Sequence, residues 1–162
     1  MNLEKEFKLF GEFAKDVKYE MEVVSLVTIQ HTIFVINKNN SVYFPGGVIE
    51  KGEKDIDALN RELKEELNLN LEKVSKEFIK TYVFSPKKKC NILVKTYIGK
   101  ISGEIKIKED ELEGVIIYPY KRINYNFLKW LNQRFLLGPS VIDVFLIKKD
   151  ELEKILKNFN PF

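Results

Sequence analysis

The chain has 162 residues, 44% of them hydrophobic and 31% charged, with a formal net charge of +3 and a pI near 8.8. That balance is globular rather than disordered, and the length suffices for one domain with a sizeable core. The excess of positive charge is too mild to mark a nucleic-acid binder, although it favours a polyphosphate ligand. A single cysteine, Cys90, excludes an intramolecular disulfide or a cysteine metal cluster, and a single histidine, His31, excludes a multi-histidine zinc site within one chain.

The N-terminus, MNLEKEFKLFGEF, is charged and lacks the unbroken apolar core of a signal peptide. No run of ~18 apolar residues marks a membrane span, so a reducing, cytoplasmic setting is the default expectation. Residues 3–10 suit a short helix or a first strand. Residues 22–29 and 32–36 are rich in β-branched side chains and predict two strands, with Gln30 and His31 turning between them. The stretch from Asn37 to Ser41 has strong turn chemistry, and Val42 to Phe44 then forms a short strand feeding Pro45-Gly46-Gly47. The expected result is a meander running into a glycine loop.

An amphipathic helix follows, from Lys54 or Asp55 to Leu67, with Asp55 as its expected N-cap. Ile56, Leu59, Leu63 and Leu67 have the spacing of a buried stripe. Glu62, Glu65 and Glu66 sit at i, i+3 and i+4 and share another face, about a right angle away. Like charges at this spacing cost a few tenths of a kcal/mol per pair. A divalent cation turns that repulsion into ligation, and hard carboxylate oxygens suit Mg²⁺. Beyond the helix, Glu77 to Phe84 and Asn91 to Lys100 read as two strands joined by Ser85-Pro86-Lys87-Lys88-Lys89. The three lysines are either solvated or steer an anionic substrate. Residues 101–107 extend the sheet, and Glu109, Asp110, Glu111 and Glu113 form an acidic loop before a strand from Val115 to Tyr118. Residues 125–137 form an aromatic-rich helix ended by Gly138-Pro139. Val141 to Ile147 reads as a strand, and Asp150 caps a last helix, Glu151 to Phe159. The order of elements predicts one α/β domain over 1–162, with a mixed sheet between helices.

From Gly47 the sequence runs five residues to Glu53, seven more to Arg61-Glu62-Leu63-Lys64-Glu65-Glu66, and closes at Leu69. This resembles the Nudix box, G-x5-E-x7-R-E-U-x-E-E-x-G-U with U aliphatic, and Phe44-Pro45 before the glycines resembles that family too. One position departs: Asn68 stands at the family's second glycine. Because Asn is the next-best residue for a left-handed helix end, the departure bears on helix-end stability rather than on catalysis. The resemblance implies a Nudix-like α/β/α sandwich with a central mixed β-sheet. It also implies hydrolysis of the diphosphate linkage of a nucleoside diphosphate derivative, ADP-ribose or a dinucleoside polyphosphate among them. Hydrolysis of a nucleoside triphosphate of the oxidised-nucleotide type and a non-catalytic nucleotide- or RNA-binding module are the alternatives.

Under the resemblance, Glu62, Glu65, Glu66 and Arg61 form the catalytic set. Mg²⁺, or Mn²⁺, would be held by Glu62, Glu65, Glu66 and the Gly47 carbonyl, with Gly46 as the alternative carbonyl. Glu53 and Arg61 pair to brace the loop against the helix. Substrate contacts fall to Phe44, Gly46, Gly47 and Tyr82, with Phe84 and Trp130 as further stacking candidates. The general base is Glu65 or one of Glu109, Asp110, Glu111 and Glu113. Pro86 and Tyr82 weakly match marks of ADP-ribose and dinucleoside polyphosphate hydrolases, respectively, and do not decide between them. The expected partner is a small nucleotide, with no membrane. Nucleic acid is disfavoured, and a homodimer stays open.

Overall fold

Residues 3–15, 18–108 and 110–159 are described by a computed structural model. The long β-branched runs become β2 (Met21–Thr28) and β3 (His31–Asn37). They do not form a meander. In one sheet β2 lies between β8 (Cys90–Ser102), parallel to it, and the antiparallel β5 (Gly46–Val48). In the other, β3 lies between β4 (Ser41–Tyr43) and β9 (Leu112–Pro119), both antiparallel. Both runs are buried on both faces, so neither alternates, and alternation is what would assign a strand to its sheet. The turn between them also steers the chain out of plane. Gln30 is left-handed (φ 72°), and the Thr28 hydroxyl donates to the His31 carbonyl at 2.9 Å while accepting from the Ile33 N–H at 2.9 Å. His31 therefore opens β3 rather than belonging to the turn.

The first sheet has the order β1 (Glu12–Phe13), β7 (Ile79–Ser85), β8, β2, β5, and β6 (Asn70–Val74) pairs with the far half of β8. The second has the order β10 (Leu136–Leu137), β4, β3, β9. Both sheets are mixed and both carry helices, so the α/β class holds, with the sheet divided in two. The β7–β8 hairpin turns over Pro86–Lys89 as expected, closed by the Ser85–Cys90 pair. Strand β8 runs only to Ser102, after which Gly103 leaves the ladder.

Helix α2 (Asp55–Leu67) is the box helix. Its Leu59, Leu63 and Leu67 are fully buried against Val24, Leu26, Ile33, Val35 and Tyr97, with Ile56 packed at the margin. Asp55 is its first helical residue rather than its cap. The cap position is Lys54, which makes no side-chain cap bond. The Asp55 carboxylate is committed elsewhere, accepting from the Tyr97 hydroxyl at 2.6 Å and from Lys95 Nζ at 3.2 Å. The helix ends at left-handed Asn68 (φ 61°, ψ 32°), whose N–H donates to Lys64 O.

The second core packs the C-terminal helices over Phe34, Val42 and Phe44. Here α3 (Tyr125–Asn132) stops short of the expected 137, and Leu136–Leu137 become a strand parallel to β4. The Asn132 amide donates to the carbonyls of Lys8 and Phe135, which ties the turn down where apolar spacing alone would continue the helix.

Val141 to Ile147 is not a strand. Helix α4 (Pro139–Ile142) continues into one wider π turn, Asp143–Ile147, closed by Lys148 N–H on Asp143 O. Pro139 at the first helical position favours the helix. Burial of every residue from Pro139 to Phe145 removes the periodicity that would have betrayed it. The last helix, α5 (Lys149–Asn158), starts one residue before Asp150, which lies in its first turn rather than capping it. A short helix, α1 (Leu3–Glu6), precedes β1. Among the described residues no helix is long and apolar enough to cross a membrane.

Candidate active site

The glycine stretch and α2 are fitted to one another through backbone. Gly46 has φ +151°, and a Cβ there would lie 2.0 Å from the Val24 carbonyl oxygen. A Cβ on Gly47 would lie 2.3 Å from the Glu62 carboxyl carbon. Glycine at 46 lets the segment pair with β2 as an edge strand, and glycine at 47 lets a glutamate of the helix rest on that strand. The stretch is thus strand β5 rather than a free loop.

Arg61 locks this arrangement. Its Nε and one terminal nitrogen donate to the two oxygens of Glu53 at 2.9 and 3.0 Å, and the latter nitrogen also donates to the Val48 carbonyl at 3.0 Å. The other terminal nitrogen donates to Glu62 at 2.9 Å and reaches Glu65 at 3.5 Å. This is the planar fork for which arginine is suited and lysine is not. The guanidinium, helped by the Glu50 N–H, holds the Glu53 carboxyl down at about 2.

The three glutamates of the face are not equivalent. Glu65 is half exposed. Glu62 is mostly covered, and burial raises its pKa against the opposing pull of Arg61. Glu66 is only 9% exposed. Burial, followed by the charges of Glu62, Glu111 and Glu65, pushes its carboxyl up to about 8, although the Gly46 N–H donates to it at 3.0 Å and opposes the shift. Glu62, Glu65 and Glu111 thus act together on Glu66, and the one arginine beside them is largely spent on Glu53.

The acidic loop contributes one member to this group. Glu111 acts electrostatically on both Glu62 and Glu66. Asp110 is exposed in the turn before β9, and Glu113 is exposed on the strand itself. Glu109 lies outside the described residues. The loop is tied to the end of α2 by Lys106 N–H on Leu67 O and Lys108 N–H on Glu66 O.

A cavity of about 550 Å³ opens beside Glu66, walled by β2, β5, β7 and β8 on one side and by β3, β4 and residues 9–11 on the other. Phe44, Gly46 and Gly47 line it, although the Phe44 ring is itself 3% exposed, stacked on Phe34 and tilted against Phe145. Tyr82, Phe84 and Trp130 are not among its walls. The Tyr82 ring leans on Tyr19, and the exposed Trp130 ring carries Arg134 over one face. Phe10, Tyr43, Asn37 and Asn39 do line the cavity and were not anticipated. Tyr43 donates to the Phe10 carbonyl at 3.2 Å. Its place on the short strand leading to the glycines, three residues before Gly46, was the available signal.

The donor set suits a hard divalent cation: carboxylate oxygens of like charge, partly desolvated, beside a glycine carbonyl. As placed, Glu62 is turned to Arg61 and Glu66 to Gly46. Among the described residues no three His, Cys, Asp or Glu side chains close around one point.

The fold and site together define an α/β protein in which a glutamate-faced helix, braced to a glycine strand, borders a ligand-sized cavity. Residues 20–137 match the NUDIX domain, and the chain belongs to that family. It is similar to an uncharacterized Nudix hydrolase of Nostoc sp., with 34% identity over 89 residues, 54% of this chain and 49% of that protein. The chain therefore matches about half the length of that relative. Solved structures with the same fold include a NUDIX hydrolase from Nitrosomonas europaea (TM-score 0.63, 16% identity, 88% of this chain and 97% of that one). Another is the ORF135 protein of E. coli (TM-score 0.59, 17% identity, 82% and 90%). A third is a MutT NUDIX hydrolase from Burkholderia pseudomallei (TM-score 0.57, 15% identity, 70% and 96%).

Proposed function

We propose that this protein is a Mg²⁺-dependent pyrophosphohydrolase that cleaves the diphosphate linkage of a nucleoside diphosphate derivative. The observation that carries the reading is Glu66. A carboxyl group whose pKa is raised first by burial and then by its neighbours' charges, facing a largely apolar cavity, is costly to ionise unless something bound there uses it. Glu62, Glu65, Glu66 and the Gly47 carbonyl are the groups that would hold the cation. When bound, the cation supplies neutralisation of phosphate charge and Lewis-acid activation of water.

The chain's own residues do the positioning. Arg61 fixes Glu53, Val48 and Glu62 as one unit, so strand and helix face the diphosphate rigidly. The cavity's apolar walls receive the nucleoside and exclude water from it. The attacking water must lose a proton as the P–O bond breaks. Glu111 is our choice for the base, supported by its action on both Glu62 and Glu66, and Glu65 is the alternative within the box.

The test is a panel of nucleotides incubated with Mg²⁺, with products resolved for the wild type and Glu66→Gln. The reading expects AMP and ribose phosphate from ADP-ribose, or the corresponding monophosphate from a related compound, with turnover lost in the variant. Release of a monophosphate and pyrophosphate from triphosphates alone would move the substrate class to triphosphates. Tight, metal-independent nucleotide or RNA binding without turnover would overturn catalysis.

A further inference from the structure

The cavity has a second charged end that the box does not account for. Its walls run from Gly46, Gly47 and Glu66 to the β7–β8 turn, where Lys87 and Lys88 close it. The strand order places β7 three strands from β5, about 14 Å across at ~4.8 Å per strand. Along the strands, Gly47 pairs with Val24, whereas Ile92 pairs with Met21 and Cys90 lies two residues further out beside Ser85. That is a further five residues, about 17 Å. The two ends are therefore separated by on the order of 20 Å, and Val23, Val83, Ile92 and Val94 line the cavity between them.

The two ends differ in sign. Lys95 and Lys148 each hold a carboxylate, whereas neither Lys87 nor Lys88 makes an ion pair among the described residues. The nearest recorded partner of Lys88 Nζ is the Met21 sulfur at 4.0 Å. The turn that carries them is tightly built: Lys88 N–H donates to Ser85 Oγ at 3.2 Å, and Lys89 is left-handed (φ 53°). Exposed, unpaired lysines are ordinary on a surface. These two differ because they cap the same cavity that Glu66 lines. An apolar trough with the Glu66 carboxyl at one end and two lysines without a carboxylate partner at the other fits a long ligand with phosphate at both ends.

We propose that Lys87 and Lys88 determine specificity by holding a phosphate remote from the diphosphate that is cleaved. The substrate is then a nucleotide carrying a further phosphate, either on a ribose or in an extended polyphosphate chain. This rests on the pyrophosphohydrolase reading above.

The test compares matched compounds on the wild type, Lys87→Gln/Lys88→Gln and Lys87→Arg/Lys88→Arg. NADPH against NADH isolates a ribose phosphate. Diadenosine tetraphosphate against diadenosine diphosphate isolates an extended chain. A charge-assisted contact to phosphate predicts that the wild type prefers the phosphate-richer member of one pair by ~10-fold or more in kcat/KM. In the Gln variant that ratio collapses toward one, through KM, and in the Arg variant it returns. The pair that shows the collapse identifies the source of the phosphate. A wild type without preference, or a Gln variant that keeps its ratio, overturns the proposal. Should the wild type hydrolyse none of the four, the catalytic reading fails and the lysines are judged by calorimetric binding of the same pairs. A wild-type preference of ~10-fold in Kd that the Gln variant loses supports the lysine site, and equal affinities overturn it.

Discussion

Among the described residues two carboxylates lie buried, Glu66 on α2 and Asp143 in the π turn, at 9% and 3% exposure. Asp143 is satisfied. The Thr81 hydroxyl donates to it at 2.6 Å and Lys148 Nζ stands at 2.9 Å from the same oxygen, so a strand of the first sheet and the C-terminal helices are pinned together. Glu66 receives one backbone N–H and otherwise faces Glu62, Glu65 and Glu111. Burial alone therefore does not mark a functional acid. What separates the two is the company each keeps: opposite charge and a donor at the joint, like charge and an open cavity at the site.

The contrast is broken most forcefully by removing each charge in turn. Glu66→Gln keeps size and helix propensity and should lower Mg²⁺-dependent turnover by ~10²-fold or more, about 2.7 kcal/mol of barrier. Steady-state assays on folded, concentration-matched protein check this. Near-wild-type turnover would place Glu66 outside the chemistry. Asp143→Asn should do the reverse. It keeps the partner of Thr81 but removes the charge partner of Lys148, which retains only the Lys80 carbonyl, costing about 1–3 kcal/mol because the lysine is partly exposed. That is a fall of roughly 2–12 °C in melting temperature for a chain of this size, with turnover per folded molecule retained. An unchanged melting temperature would remove Asp143 as the structural counterpart.

A smaller effect sharpens the account at the end of α2. Asn68 is left-handed, so Asn68→Gly should be neutral or slightly stabilising, and Asn68→Val should cost about 1 kcal/mol. Urea midpoints at constant slope read both. Equal midpoints for the two variants would mean that the helix end tolerates β-branched side chains at that φ.

The α2 region was legible in sequence because its constraints are local. The glutamate and leucine stripes, the Arg61–Glu53 brace and the left-handed end at Asn68 all lie within one helix and the stretch before it. The joint at Asp143 was not legible. Its π turn sits in a run whose burial hides any period, and its partner Thr81 is distant in sequence. The division into two sheets was not legible for the same reason, since β2 and β3 are both buried on both faces. Lys87 and Lys88 were visible as a charged turn, but only the strand order brings that turn to the cavity Glu66 faces.

The central claim is that Glu66 is a destabilised acid kept for a cation, and melting temperature tests it most directly. Its folded pKa of about 8 lies above the ordinary glutamate value of 4.5. Below 4.5 both states are protonated, so the group adds no pH dependence. Between 4.5 and 8 the unfolded chain ionises first, and folding stability falls as pH rises. In a chelator, Glu66→Gln should therefore melt with the wild type near pH 4 and several degrees above it at pH 8. Mg²⁺ at pH 8 should then raise the wild type more than the variant, because a ligand that binds the folded state stabilises it by RT ln(1 + [L]/Kd). A variant that melts below the wild type in chelator at pH 8, or equal gains from Mg²⁺ in both proteins, would contradict the account.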